Sequence, residues 1–321
     1  MKTSSANSFR YGVTMLELLV IIAVVSLLAA LLLPAVVNAV EGGRQSLCKS
    51  RLKELGIALN NYHDAYKTFP PFMIRNGFSP QVRLLPFLGQ DSLAAAVNSE
   101  SFVMGPGGKG GFDSRSIQST PASLICPSAG NPQNAANYRV NNGTETHPRE
   151  NNGAFSVWKI LRERDFSDGL GQTVFISERI AGDFNDATYT ASRDLWLTFA
   201  ATGLEGLGGA EYRTVYRVVG DVSVHASKLG GAWFRDGFEN SAYNHILGPN
   251  SSTPDCGPRS TLPWQDWFNM GGAVAARSYH PGGVHTLFGD GSARFVSDKI
   301  EFGVWQSIAT RAGGEGAVPN F

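Results

Sequence analysis

An uncharged apolar run near the N-terminus constrains this 321-residue chain more than any other feature. No residue between Leu18 and Val40 is charged, and only two are strongly polar. A helix needs about 20 apolar residues to cross the hydrocarbon layer of a membrane, so the run is long enough to span it. The preceding flank carries Lys2 and Arg10 and no acid, which predicts a cytoplasmic N-terminus and an exported remainder.

Glu17 stands at the start of that run and leaves two interpretations of it open. A secretory signal peptide has an apolar stretch of about 7–15 residues before its cleavage site, and the stretch here is longer. An ionisable group in a membrane segment is costly, and so it indicates a function. The alternative is that Glu17 only marks the membrane boundary.

The residues around Glu17 resemble a known processing site. Residues 12–17 read Gly-Val-Thr-Met-Leu-Glu, and with the apolar run they closely resemble the N-terminal motif of type IV prepilins and type II secretion pseudopilins. In that family a membrane peptidase cuts after the glycine and methylates the new N-terminal amine. The resemblance implies a leader peptide over residues 1–12, cleavage between Gly12 and Val13, and N-methylation of Val13. The family more often has Phe at the position of Val13.

The same resemblance implies that Glu17 and Pro34 serve assembly. After cleavage the α-ammonium of Val13, whose unperturbed pKa is about 8, is largely charged at neutral pH. Near hydrocarbon an unpaired charge is strongly disfavoured, so pairing with Glu17 of a neighbouring subunit would neutralise both groups. Pro34 removes a helical hydrogen bond and predicts a kink; a proline at this distance from the cleavage site is common in pilins.

A stripe of apolar residues predicts that the helix continues past the membrane segment of residues 13–40. The stripe recurs at spacings of four, three, four, three and four, as one face of a helix requires. We therefore expect an amphipathic continuation over residues 41–69 that packs on the exported head and stops before Pro70. The stripe consists of Cys48, Leu52, Leu55, Leu59, Tyr62 and Tyr66.

The composition of the remaining chain, residues 70–321, predicts a β-rich exported head. The 27 basic and 27 acidic residues balance and form no long run, which argues against a nucleic-acid partner. Glycine is abundant at 37 residues, as in turn-rich domains. The three cysteines are too few for a disulfide scaffold or a metal knuckle. Strand-like runs occupy residues 153–157, 173–177, 195–199 and 214–219.

Several motifs resemble one bacterial prepilin-like family, the domain of unknown function 1559. Its C-terminal signature is a histidine, nine residues and Asp-Gly, which His280 and Asp290-Gly291 reproduce. The resemblance extends from Gly12 to about Glu315 and implies an architecture, because the biochemical function of the family is poorly defined. Other matching motifs include Asn-Tyr-His-Asp at 61–64, Thr-Phe-Pro-Pro at 68–71, Cys-Pro-Ser at 126–128 and Glu-Arg at 178–179.

The C-terminal signature predicts a β-hairpin over residues 278–297. Asp-Gly between two apolar runs is a strong signal for a tight turn with positive φ, and a second turn at 280–283 would bring His280 and His285 to one end of the ribbon. Two imidazoles and Asp290 suit zinc, but neither a fixed metal spacing nor a nucleophile–base set accompanies them. We therefore expect His280 and Asp290 to be hydrogen-bonded turn residues and expect no cofactor. The alternatives are metal or ligand binding and, after these, catalysis.

The disulfide pairing stays open in the sequence. An oxidising export compartment permits disulfides, and in the resemblance Cys256 recurs beside a Pro-Asn motif. Cys126 and Cys256 both lie in predicted loops of the head, whereas Cys48 lies on the packed helix stripe. Of the three pairings we expect Cys126–Cys256.

Together these patterns predict a non-enzymatic, pilin-like (pseudopilin) subunit of α+β fold, in which a long N-terminal helix packs on a head with an antiparallel sheet. It would be a single-pass protein of the inner membrane, with its head in the periplasm or in a filament at the cell surface. The expected partners are the prepilin peptidase, copies of itself or other pilin-like subunits, and the secretion or pilus machinery. One alternative is a membrane-tethered periplasmic ligand-binding protein that never polymerises. A weaker one is a metal-dependent hydrolase built on His280, His285 and Asp290.

Overall fold

The computed structural model divides the chain into two compact units, Met1–Arg44 and Gln45–Phe321. It describes residues 14–72, 78–99, 103–104, 110–111, 119–129, 135–146, 151–157, 159–198, 225–258 and 272–314. The leader of residues 1–12, and with it Gly12, lies outside the described residues, as does Val13.

The first helix, α1 (Met15–Tyr66), contains the whole apolar run. Its large hydrophobic side chains from Leu18 to Val40 are between 49% and 66% exposed. Among the residues that the structure describes, α1 is the one helix long and apolar enough to cross a membrane. Pro34 lies inside α1, which continues beyond it.

The second half of α1 belongs to the second unit and packs there through the predicted stripe. Cys48, Leu52, Leu55 and Leu59 are all buried, whereas Tyr66, the last stripe residue, is exposed. The helix ends at Tyr66 because the next residue adopts a positive φ of 55°, which a right-handed helix cannot include. The amphipathic helix packed on the head is therefore confirmed.

Within the described residues, the second unit contains three short α-helices and ten strands. The helices are α2 (Pro80–Leu84), α3 (Asp91–Ser99) and α4 (Phe302–Ser307). The strands are β1 (Val103–Met104), β2 (Gly110–Gly111), β3 (Tyr138–Asn141), β4 (Val174–Glu178), β5 (Leu195–Thr198), β6 (His225–Ala226), β7 (Ala242–Tyr243), β8 (Asp255–Pro258), β9 (Gly283–Phe288) and β10 (Ala293–Ser297).

A five-stranded sheet in the order β10-β9-β4-β3-β7 forms the centre of this unit. A separate three-stranded sheet has the order β6-β5-β8, and β1 and β2 pair with each other as a two-stranded sheet. All residues of β3, β4 and β9 are buried, as expected for inner strands that are covered on both faces.

The α+β class is confirmed, but the main sheet is mixed rather than antiparallel. Within the two larger sheets, β3 pairs with β7 in parallel and β5 with β8 in parallel. Both pairs join strands that are separated by long connections, and only long connections allow a chain to return in the same direction.

Of the three strand-like runs that fall on described residues, two correspond to strands. Residues 173–177 and 195–199 match β4 and β5 within a residue or two. Residues 153–157 form bends that end in one isolated bridge position. The fourth run, residues 214–219, lies outside the described residues.

Candidate functional site

The predicted C-terminal hairpin is present, and a three-residue turn closes it. β9 and β10 pair antiparallel with Leu287 opposite Ala293, and the Phe288 amide donates to the Ser292 carbonyl at 2.9 Å. In this turn only Gly291, at 83°, has a positive φ. The loop is thus the three-residue type with a left-handed glycine, and Asp290 needs no positive φ.

Asp290 and Gly291 serve that turn and its packing on α1. Asp290 Oδ1 accepts a hydrogen bond from the Ser292 amide at 2.8 Å. A Cβ added at Gly56 of α1 would lie 2.8 Å from Leu287 Cδ1 and 3.3 Å from Gly291 Cα. Two glycines therefore allow the helix and the turn to approach closely.

His280 and His285 meet at the opposite end of the ribbon, as predicted, but their acidic partner is Glu178. The two imidazole centroids are 5.0 Å apart in an edge-to-face arrangement. Glu178 Oε1 lies 3.3 Å from His280 Nε2, and Oε2 lies 3.4 Å from His285 Nδ1. Asp290, at the turn, forms an ion pair with Arg294 instead. The set of His280, His285 and Asp290 that suggested a metal site is therefore not brought together.

Glu178 joins the cluster because it ends β4 between two neighbouring strands. It faces Tyr138 on β3, and on the other side its Oε2 accepts the His285 amide at 2.8 Å. All three cluster side chains are buried. The sequence offered one signal for Glu178, its place in the Glu-Arg motif, but no spacing that relates it to the histidines.

The charge state of Glu178 follows from its partners. Burial by itself would raise its pKa, but the close imidazole nitrogens of His280 and His285 outweigh burial, so the pKa is lowered from its ordinary value. A buried carboxylate is retained as an anion only where such partners compensate for its lost hydration. The cluster is thus a buried, charge-assisted network.

The disulfide is Cys48–Cys126, so the prediction of Cys126–Cys256 is wrong. The Cα atoms of Cys48 and Cys126 are 5.1 Å apart, within the range that a disulfide requires. Packing of the helix stripe on the head brings Cys48 to Cys126, and so the position of Cys48 on that stripe favours the bridge rather than opposing it. Cys256 is a buried thiol of β8.

The disulfide adjoins the histidine cluster. Cys126 Sγ lies 3.6 Å from His280 Nε2, and the Cys126 amide donates to Asn137 Oδ1. Next to Glu178 along β4, Arg179 forms a fully buried ion pair of 2.7 Å with Asp255. These contacts join α1, β4, β8 and the start of the hairpin into one buried polar centre.

The cluster is closely packed around His280. The same nitrogen, His280 Nε2, faces both Cys126 and Glu178, and Cys126 is bonded in the disulfide, so it offers no thiolate as a nucleophile. The cavity that borders Cys126 and Glu178 has a volume of about 10 Å³, which is room for about one water molecule. The described residues there leave no space for a substrate.

Of the residues predicted to act in assembly, the structure describes Glu17 and Pro34. Glu17 Oε2 accepts the Thr14 amide at 2.8 Å and the Thr14 hydroxyl at 2.9 Å. The Glu17 amide donates in return to Thr14 Oγ1 at 3.3 Å. The two residues form a capping box, which satisfies amides that the first turn of a helix leaves unpaired.

Comparison with known proteins identifies a family and no individual relative. A search of the curated proteins and a search of the solved structures found no significant match. One family model, described as "Protein of unknown function (DUF1559)", matches residues 38–303. That range contains the helix stripe, the disulfide, Glu178 and both histidines, and it begins after most of the apolar run. Because it covers well over half of the chain, the protein belongs to the DUF1559 family.

Proposed function

We propose that this protein is a pilin-like subunit that is processed by a prepilin peptidase, anchored in the inner membrane by α1 and drawn from there into a filament. The observation that carries the proposal is the apolar surface of α1 from Leu18 to Val40, whose side chains are about half exposed or more. Such a surface is unstable in water and needs lipid or other apolar helices around it. A filament core of identical helices supplies the second environment.

The start of α1 agrees with processing at the Gly12–Val13 bond. Thr14, the second residue of the chain that cleavage would leave, is the N-cap of the helix. Cleavage would therefore remove a segment that precedes the helix and leave the helix whole. The resemblance of residues 12–17 to the prepilin motif supplies the specific bond.

Mass spectrometry of the membrane fraction tests the processing step. We expect a chain that starts at N-methylated Val13. Gly12→Val should block cleavage, because a site that accepts glycine alone has no room for a side chain, whereas Gly43→Ala, where an added Cβ meets nothing within 4 Å, should be cleaved normally. An intact leader or a cut elsewhere would remove the pilin interpretation.

The role of Glu17 is tested by separating its charge from its capping. If Glu17 pairs with the α-amine of a neighbouring subunit, then Glu17→Gln should be inserted and cleaved but should form few filaments in sheared fractions under the electron microscope. Thr14→Ala removes the capping partner and keeps the carboxylate, so it should still assemble. If Glu17→Gln forms filaments as well as the unaltered chain does, then Glu17 serves the helix cap alone.

One observation favours the membrane-tethered ligand-binding protein as a second candidate. A groove of about 490 Å³ runs between residues 248–253 and the start of α4, within the size range of ligand sites. Asn250, Asp298 and Trp305 are among the residues that line it. A processed chain that never yields filaments would favour this candidate over the filament subunit.

A further inference from the structure

Four side chains with metal-binding atoms converge at the disulfide. Cys48, Cys126, Glu178 and His280 each offer one ligand atom, and these four atoms lie within 4.8 Å of one another. All four residues are buried. Two cysteines, a histidine and a carboxylate are ligand types that zinc accepts in a tetrahedral site.

Two of the separations already fit such a site, and the two sulfur atoms must move apart once the bond between them is broken. With zinc–ligand bonds of 2.0–2.3 Å, tetrahedral ligand atoms lie about 3.3–3.8 Å apart. His280 Nε2 is 3.3 Å from Glu178 Oε1 and 3.6 Å from Cys126 Sγ. The distances around His280 therefore need little change to hold an ion.

A second observation concerns the two carboxylate oxygens of Glu178. Glu178 Oε1 is buried and, among the described residues, accepts no well-aligned hydrogen bond, although a buried carboxylate oxygen ordinarily has a donor. The other oxygen, Oε2, is held by the His285 amide at 2.8 Å. The His285 amide thus holds one carboxylate oxygen, in the way outer contacts orient a metal ligand, and the other oxygen, Oε1, lies 3.3 Å from His280 Nε2.

We propose that reduction of the Cys48–Cys126 disulfide converts this cluster into a zinc site. A dithiol reductant transfers two electrons and two protons to the disulfide, which yields two cysteine thiols and the oxidised, cyclic form of the reductant. Zn²⁺ then displaces the two thiol protons to solvent and binds both thiolates, His280 Nε2 and Glu178 Oε1. As long as the disulfide is intact, the thiolates that bind metal do not exist, so the site is closed.

The zinc site and the disulfide are alternative cross-links between the same two segments. Each ties α1 at Cys48 to the loop at Cys126. A chain that reaches a reducing environment, or has not yet been oxidised, would keep this connection through the ion. The site does not involve the N-terminal processing motif or filament formation, so the zinc proposal does not rest on the proposed function and is tested separately from it.

Cobalt binding by the full chain in detergent micelles tests the proposal. The chain is reduced with a dithiol, the reductant is removed without air, and Co²⁺ is added. We expect one Co²⁺ per reduced chain, with thiolate-to-cobalt charge-transfer absorption and the visible bands of a tetrahedral ion, and complete displacement by one equivalent of Zn²⁺. The oxidised chain should show none of these bands.

Two variants assign the ligands. His280→Gln should weaken Co²⁺ binding by about tenfold or more, since a lost ligand costs at least as much as a lost outer contact. Cys256→Ser removes the buried thiol of β8 and should bind as the unaltered chain does. If reduced, unaltered protein shows no thiolate–cobalt band, or if the oxidised chain binds equally well, the proposal is wrong. This redox contrast decides the matter even if His280→Gln fails to fold.

Discussion

Removal of the Cys48–Cys126 disulfide should cost this protein more stability than any change of a single surface residue. The bridge joins residues 78 positions apart. In the chain-entropy treatment, a closed loop of that length lowers the entropy of the unfolded chain by about 15 cal/mol/K, or about 4.5 kcal/mol at 25 °C. We therefore expect the double variant Cys48→Ala/Cys126→Ala to lose about 4.5 kcal/mol in free energy of unfolding.

Urea unfolding of the full chain in micelles, followed by tryptophan fluorescence, provides the measurement. Trp233 and Trp305 are both buried in the second unit, so their emission should report its unfolding. A chelator is included to keep zinc from replacing the bridge. Reducing the unaltered chain under the same conditions should produce a loss similar to that of the double variant.

Cys256→Ala is the matched control, because it removes the third cysteine and leaves the bridge intact. Because the bridge is still present in this variant, adding reductant should still lower its free energy of unfolding by about 4.5 kcal/mol. A loss below about 1 kcal/mol in the double variant, or peptide mapping that links Cys126 to Cys256, would refute the reasoning.

Further predictions concern the buried carboxylates and the hairpin. Glu178→Gln should lower the free energy of unfolding by about 1–3 kcal/mol at pH 7, since buried donors lose their anionic partner. Because the folded pKa of Glu178 is lowered, the stability that its charge contributes is complete above the unfolded pKa and is lost as pH falls through the folded pKa. The variant should therefore differ less from the unaltered chain in acid. Burial raises the pKa of Asp236 to about 6, so the stability of the unaltered chain falls as pH rises from the unfolded pKa of about 4 to that value, where the loss is complete. Asp236→Asn should therefore be more stable than the unaltered chain in urea at pH 8 and nearly unchanged at pH 4. Asp290→Ala loses the bond to the Ser292 amide and should cost about 0.5–1.5 kcal/mol. His280→Ala should cost about 1–3 kcal/mol in the oxidised chain, equally with and without chelator; a chelator effect on the oxidised chain would mean a metal site that is open without reduction.

Local patterns predicted the parts of the fold that local physics controls. The apolar run, the helix stripe from Cys48 to Leu59 and the Asp-Gly turn all depend on residues within about one helical turn or one hairpin of each other. The structure contains each of them. The observed turn has three residues instead of two, but both types of turn need a residue with positive φ, which Gly291 provides.

The candidate site was only half predictable. Proximity of His280 and His285 followed from a turn and a short strand between them. Glu178 is 107 residues from His285 in the chain, and no spacing rule connects residues at that distance. The orientation of β4 between β3 and β9 brings them together, and strand order in a sheet is a property of the whole domain.

The sequence by itself determined an apolar anchor, a helix with one packing face and a C-terminal hairpin, because periodicity and turn chemistry act between near neighbours along the chain. Only the tertiary structure decided that Cys48 rather than Cys256 pairs with Cys126, that β3 and β7 run in parallel, and that Glu178 rather than Asp290 faces the histidines. Each of these depends on which distant segments pack together, and the entropy of closing such long loops is offset by burial of the whole core rather than by any one residue.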